Sequence, residues 1–540
     1  MTSASKMIEL CRPLWDEMAS QQIVARLWRR DHTLWKPSPE EISNRLGWLE
    51  LPNSMRDSVH DIARFARETR DRGVRHVVLL GMGGSSLGAE VLARALGTRR
   101  GFPTLTVLDS TIPAVVRRTL EQIDLSRSLF IVASKSGTTA EVSALYAFFR
   151  AEVEKVCGEE AGRHFVAITD PGTPLLTLAH KARFLRAFIN PADVGGRYSV
   201  LSYFGLVPAA LMGLDVGQML LSAREAARLC GNTDLRENPG AWLGMCMGCL
   251  ASNGRDKMTL FTSPRLGAFG LWAEQLIAES TGKEGLGIVP VVGEPTGVTE
   301  AYGDDRYFVY LRLAGDENKT SDDFAKALNR AGLPLIRIEL KEPMDLAGEF
   351  FRWEFAVAVA AACLKINPFD QPNVQESKSI TTEALALYEK QRTLPPVQTE
   401  GSLPALLESR RKGDYLALMV FSAPTDALDR ALDDLRLRLL IEHKLATTLG
   451  YGPRFLHSTG QLHKGGADNV LCVQVVSVGD SDLPVPGKGY GFRALATAQA
   501  LGDYGALKAH GRRTMRLATE DPVVLPALVR GLLENRPTGS

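Results

Sequence analysis

The chain has 540 residues, with 63 Lys and Arg against 62 Asp and Glu, so no charge excess is available to hold nucleic acid or an anionic membrane, and any anion site must be local. At roughly 150 residues per domain the length predicts three or four units, and no stretch approaches the roughly 20 apolar residues that span a bilayer. Seven scattered cysteines are an odd, sparse set that predicts a reducing compartment, the cytoplasm, and no basic segment leads into an apolar run at the N-terminus to predict export.

Residues 1–70 read as an N-terminal helical segment, in which Ser38 of SPEEISNRL is expected to cap a helix carrying Glu40 and Glu41 in its first turn. From His76 short apolar runs (HVVLLG, TLTVLDS, LFIVASK, FVAITD, RFLRAFINP) alternate with helical stretches such as 140–153, the pattern of a doubly wound parallel sheet over residues 71–220. KMTLFTS, GIVPVVG, YFVYLRL and PLIRIEL predict a second such unit over 221–390, closing at a helix near 349–363. Two units of similar size predict a cleft between them. TLPPVQTEGSLPALL reads as a linker, and YLALMVFS, NVLCVQVVS and TMRLAT predict a smaller C-terminal α/β unit over 391–540.

Two loops between strand and helix carry the chemistry. In GMGGSSLG, Gly81, Gly83 and Gly84 would let an anion approach the unpaired amides of the next helix. A dinucleotide fingerprint, with Asp109 as the ribose-binding acid, is incomplete because Ser86 stands at the last glycine position, and no Lys follows the glycines as a P-loop requires. SKSGTTAE breaks the tie: Ser134, Ser136, Thr138 and Thr139 offer more hydroxyls than a helix cap uses and suit a compact phosphomonoester. The glycines of the first loop are then expected to bring Gly84 and Ser85 to the sugar end of a phosphosugar.

The pair GMGGSSLG and SKSGTTAE on successive strands resembles the sugar isomerase fold. NPADVGGRYSVLSYFGLVPAAL, EQLIAESTGKEGLGIVP and NPFDQPNVQESK resemble signatures of the glucose-6-phosphate isomerase family. The last of these, with ARLWRRDHTLWKPSPEEISNRLGWL, is most similar to the isomerase half of bifunctional transaldolase/glucose-6-phosphate isomerases. No barrel-sized segment precedes the isomerase-like region, so no transaldolase portion is expected. The resemblance implies two sugar isomerase domains facing a cleft and a metal-independent aldose/ketose isomerase of glycolysis and gluconeogenesis that needs no cofactor. It implies a small phosphosugar as partner and leaves a homo-oligomer or a fusion-type association with transaldolase open. Mannose 6-phosphate as a further substrate, or a noncatalytic phosphosugar sensor, are the alternatives.

Moving a proton between adjacent carbons requires a phosphate anchor, a base, a cation for enediolate charge and a group that opens the ring. By resemblance, Glu279 is the base, Arg197 with Gly196 beside it the charge stabiliser, and Ser85, Ser134, Lys135, Ser136, Thr138, Thr139 and Gln371 the substrate holders. Lys378 is expected near the ring oxygen, on one helix face with Gln371; Asn373 and Ser377 stand where the family usually has Gly. No histidine occurs between Glu279 and Lys378, where the family carries its ring-opening residue. RFLHSTGQLHKGG therefore offers His457, with His463 as the alternative, and a catalytic His457 requires the C-terminal unit to fold over the cleft or reach a neighbouring subunit's. Cys246 and Cys249 form a C-x-x-C with no second ligand pair nearby and read as core residues.

Overall fold

Each apolar run from His76 onward is followed by a helix that carries the chain back along the sheet, so the strands pair in parallel. The computed structural model describes residues 3–479 and 481–534. The first sheet comprises β1 (His76–Leu80), β2 (Thr104–Leu108), β3 (Ser128–Ala133), β4 (Phe165–Thr169) and β5 (Arg186–Ile189), in the order β2-β1-β3-β4-β5. The second comprises β6 (Lys257–Thr262), β7 (Val289–Val292), β8 (Arg306–Leu313) and β9 (Leu335–Leu340), in the order β7-β6-β8-β9. The third comprises β10 (Tyr415–Ser422), β11 (Ala446–Tyr451), β12 (Val470–Ser477) and β13 (Arg513–Ala518), in the order β11-β10-β12-β13. All pairings are parallel, and the three sheets share one winding: the second strand of each lies outside the first, and the third returns to the first's other side. Central strands such as β3, β4, β10 and β12 are buried along their whole length, as strands covered by helices on both faces must be.

The first and second sheets share a core through one face of each, while Val78, Leu80, Phe130 and Val132 on the other face of the first sheet pack in a second cluster. The helices Pro239–Ser252 and Leu346–Cys363 join the two sheets: Leu79 and Ile131 of the first sheet, Leu260 and Val309 of the second, and Met247 and Phe355 of these helices belong to one apolar cluster. A cleft opens at the carboxyl ends of β1 and β3. The third unit packs beside the second along β7 and β11, where the buried Arg436 guanidinium donates to the carbonyls of Gly293 (2.7 Å) and Val292 (2.9 Å). Among the described residues no helix is long and apolar enough to cross a membrane.

Three local expectations are corrected. The segment after Ser38 is a run of turns, because Glu41 adopts φ +54°, outside the helical region. β11 is absent from the sequence reading because ATTLGY has no apolar run; its Thr447 is buried by pairing with Glu294 and Arg436. Cys249 is not merely a packed core residue: it forms a disulfide with Cys11, which ties the N-terminal helix Ser3–Ser20 to the helix Pro239–Ser252. Cys246 stays free and buried, its thiol pushed up by burial.

Candidate active site

Parallel sheets aim helix N-termini at their carboxyl edge, and a crevice forms where the strand order reverses. In the first sheet that place lies between β1 and β3. A cavity of about 520 Å³ opens there, and both turns that follow these strands line it, through Gly84 and Ser85 and through Lys135, Ser136 and Thr139. Gly196, Arg197, Glu279, Gln371 and His457 line it as well, as do Glu41, Arg45, Asp170 and Gln275.

The second turn is internally braced. Gly137 sits at φ +68°, and a Cβ there would lie 2.9 Å from both the Leu175 amide nitrogen and Thr173 Cβ, so only glycine fits. Ser134 Oγ accepts from the Gly137 amide at 3.1 Å and lies 2.9 Å from Thr139 Oγ1, while the Ser136 and Thr138 hydroxyls are 3.0 Å apart. Lys135, Ser136 and Thr139 face the cavity; Ser134 and Thr138 hold the loop behind them. Lys135 Nζ is bonded to Asp170 and donates to the Ala192 carbonyl at 3.1 Å. Burial pushes the Asp170 carboxyl up, against the pull of Lys135.

The glycines of the first turn serve neighbouring protein segments before any sugar. A Cβ on Gly84 would come within 2.1 Å of the Gly196 carbonyl, and one on Gly83 within 2.7 Å of Gln275 Nε2 and 2.9 Å of the His457 carbonyl oxygen. Three distant segments thus converge on this turn because it has no side chains to exclude them.

Glu279 lies in the last turn of the helix Phe269–Thr281 and is 4% exposed. Gln275, one turn earlier, donates from Nε2 to Glu279 Oε2 at 3.1 Å and to the His457 carbonyl at 2.8 Å. Arg197 Nη1 stands 3.4 Å from Glu279 Oε1. The rest of that guanidinium donates to Ser280 Oγ (2.9 Å) and to the carbonyls of Pro368 (2.6 Å) and Asp370 (2.9 Å), which fixes both the arginine and the segment that bears Gln371. Lys283 Nζ donates to the Asp370 carboxylate at 2.6 Å, and burial, with Arg197 nearby, pushes its ammonium down to about 8.

Gln371 lies in the loop before the helix Val374–Gln391, not on its face, because Pro372 and Asn373 delay the helix start. Lys378 is on that helix, and its side chain, like that of Ser377, lies outside the described residues.

His457 ends the short turn Arg454–His457 after β11 and reaches the cavity within its own chain. Its Nε2 is 2.9 Å from Glu141 Oε1, which also accepts from Gln499 Nε2 at 2.8 Å; Thr111 Oγ1 donates to Gln499 Oε1 at 2.7 Å. Glu141, in the first turn of the helix Ala140–Cys157, thus orients the ring from the first unit. His463 is walled between Tyr415 and Phe455, neither ring nitrogen has a partner, and burial pushes it down to about 3.

Sequence reasoning passed over Glu141, Gln275, Glu41 and Arg45, all at or beside the cavity. Gln275 was findable as the i−4 neighbour of Glu279, and Glu141 closes the quoted motif SKSGTTAE. The other two gave no signal, since their segment read as a helix. Among the described residues no group of three or more His, Cys, Asp or Glu side chains is placed to hold a metal ion.

Residues 53–287 match the family model described as phosphoglucose isomerase. A glucose-6-phosphate isomerase of Rubrobacter xylanophilus is 31% identical over 401 residues, spanning 63% of this chain and 92% of that protein. Two solved structures are similar: a hypothetical protein of Thermus thermophilus (26% identity, TM-score 0.60, 71% of this chain and 98% of that one) and a glucose-6-phosphate isomerase of Chlamydia trachomatis (21%, 0.54, 68% and 78%). The architecture is therefore the sugar isomerase fold.

Proposed function

The chain belongs to the glucose-6-phosphate isomerase family, and from that premise we propose how its cleft interconverts glucose 6-phosphate and fructose 6-phosphate through a cis-enediol. The observation that carries the reading is the convergence of Glu279, Arg197, His457 and the Lys135–Thr139 loop on one cavity, whose size is in the range that small ligands fill.

Ser85, Lys135, Ser136, Thr139 and Gln371 hold the phosphate, with Ser134 and Thr138 keeping their loop in shape. His457, oriented by the Glu141 carboxylate, moves the ring hydroxyl proton while Lys378 assists at the ring oxygen; an imidazole suits this because its ordinary pKa lies near neutrality. Glu279 then takes the proton from C2 of the open aldose and returns it to C1, and the hydroxyl proton passes from O2 to O1. Arg197, held by four contacts, offers a fixed positive charge to the enediolate oxygen without having to reorganise. A base and a charge stabiliser in one cavity argue against the sensor alternative.

A coupled assay from fructose 6-phosphate to glucose 6-phosphate tests this. Glu279→Gln should lower kcat by about 10²–10⁴-fold, and His457→Ala should slow turnover of the ring form far more than that of open-chain substrate. An inactive wild type would overturn the isomerase reading, and a fully active Glu279→Gln would overturn the assigned base. The likeness of residues 25–49 and 367–378 to fusion-type isomerases supports association with transaldolase, tested by gel filtration of the mixed proteins. Cytoplasmic placement rests on the five free cysteines, with the Cys11–Cys249 bond standing against it.

A further inference from the structure

We propose that Arg45, delivered by the N-terminal segment, is a phosphate-binding residue of the site, held by Glu41 until the substrate's dianion takes it over. The inference rests on the isomerase reading for the identity of the substrate and on the cavity's charges for everything else.

The charged residues lining the cavity, apart from His457, balance: Arg45, Lys135 and Arg197 against Glu41, Asp170 and Glu279. A phosphate dianion entering such a wall needs a cation that can change partners. Arg197 is locked by Ser280 and the Pro368 and Asp370 carbonyls. Lys135 is tied to Asp170, whose side chain is 11% exposed, so parting that pair leaves a carboxylate with little water to receive it. Arg45 is different. Its Nη2 donates to Glu41 Oε1 at 2.9 Å, and the Glu41 side chain is 46% exposed, so water can solvate the carboxylate once the guanidinium leaves. Pairs of that kind hold weakly.

The position also fits. The segment is stitched to the loop that carries Arg197: Leu46 bridges Val194, and the Gly47 amide donates to the Asp193 carbonyl at 2.9 Å. The Arg45 stem lies over Gly195, where Cδ is 3.9 Å from the place a Cβ would occupy. Its charge acts on Asp170, and the Asp170 amide in turn donates to the Lys135 carbonyl, so the guanidinium stands at the phosphate-loop side of the cavity. A planar guanidinium can donate two parallel hydrogen bonds to phosphate, which suits a dianion better than a neutral sugar.

The test uses the full chain and inorganic phosphate as probe, titrated by calorimetry alongside steady-state assays. Arg45→Met should weaken phosphate binding tenfold or more and raise KM for fructose 6-phosphate by a similar factor, with kcat changed less than threefold. Arg45→Lys should recover part of the loss, and Glu41→Gln should tighten phosphate severalfold at low ionic strength. Phosphate affinity within twofold of wild type in Arg45→Met, a fall confined to kcat, or no tightening in Glu41→Gln would overturn the proposal. Arg45-dependent phosphate binding in a wild type without isomerase activity would support it and overturn the isomerase reading alone.

Discussion

Gln275 shares one amide nitrogen between the Glu279 carboxylate and the His457 carbonyl, so the aim of the base and the seat of the histidine are set at the same atom. His463 shows what the same residue type becomes without such partners. Its folded value, about 3 against an ordinary 6.5, follows first from burial and then from the neighbouring Lys464. The unfolded chain therefore binds a proton below pH 6.5 that the folded chain refuses. Stability is whole above that pH and falls as pH drops toward 3, by about 2 kcal/mol at pH 5. His463→Leu should flatten this slope, read as the difference in urea midpoint between pH 7 and pH 5. An unchanged slope would place the acid sensitivity elsewhere.

The short turn Arg454–His457 is the element that brings the histidine to the cavity. Arg454 Nε and Nη2 donate to the two oxygens of Asp109 at 2.7 and 2.9 Å, and Nη2 is 2.7 Å from Glu90 Oε2. Burial opposes the Arg454 charge, but the two carboxylates outweigh it and hold its pKa up; burial likewise pushes Glu90 up despite Arg454. Asp109, the would-be ribose acid of a dinucleotide site, is thus committed to clamping the third unit onto the first. Arg454→Met leaves two carboxylates without their shared cation in a poorly solvated place, and should cost about 3 kcal/mol or more in denaturant unfolding. Because the same turn seats His457, ring-form turnover should fall at least tenfold more than open-chain turnover. Equal losses on both would mean that the clamp stabilises the fold without positioning the histidine.

At the scale of the whole molecule, the first two sheets share a core through one face of each and the third unit closes the cleft from the same chain. The Cys11–Cys249 bond joins residues separated by 238 positions. A closure that long restricts the unfolded chain strongly, so Cys11→Ala should lose about 2–4 kcal/mol under oxidising conditions and match the wild type in reductant. A variant as stable as the oxidised wild type would show that packing alone holds the N-terminal helix. Much of this architecture is legible in the sequence, because a buried parallel strand needs an unbroken apolar run and a phosphate turn needs glycine or hydroxyls within a few neighbouring positions. His76–Leu80, Ser128–Ala133 and the loop at Ser134–Thr139 carry that information locally, and the motifs around Arg197 and Glu279 carry the family. Where each partner is hundreds of residues away, no local pattern exists to read. The choice of His457 over His463 depends on Glu141 lying opposite one and an apolar wall around the other. The entry of Arg45 depends on a left-handed Glu41 and a strand-like bridge to Val194. β11 pairs with β10 while Arg436 and Glu294 satisfy its buried Thr447. Composition and periodicity settled the apolar strands and the two turns after β1 and β3; only the packing of three sheets around one crevice decided which side chains meet there.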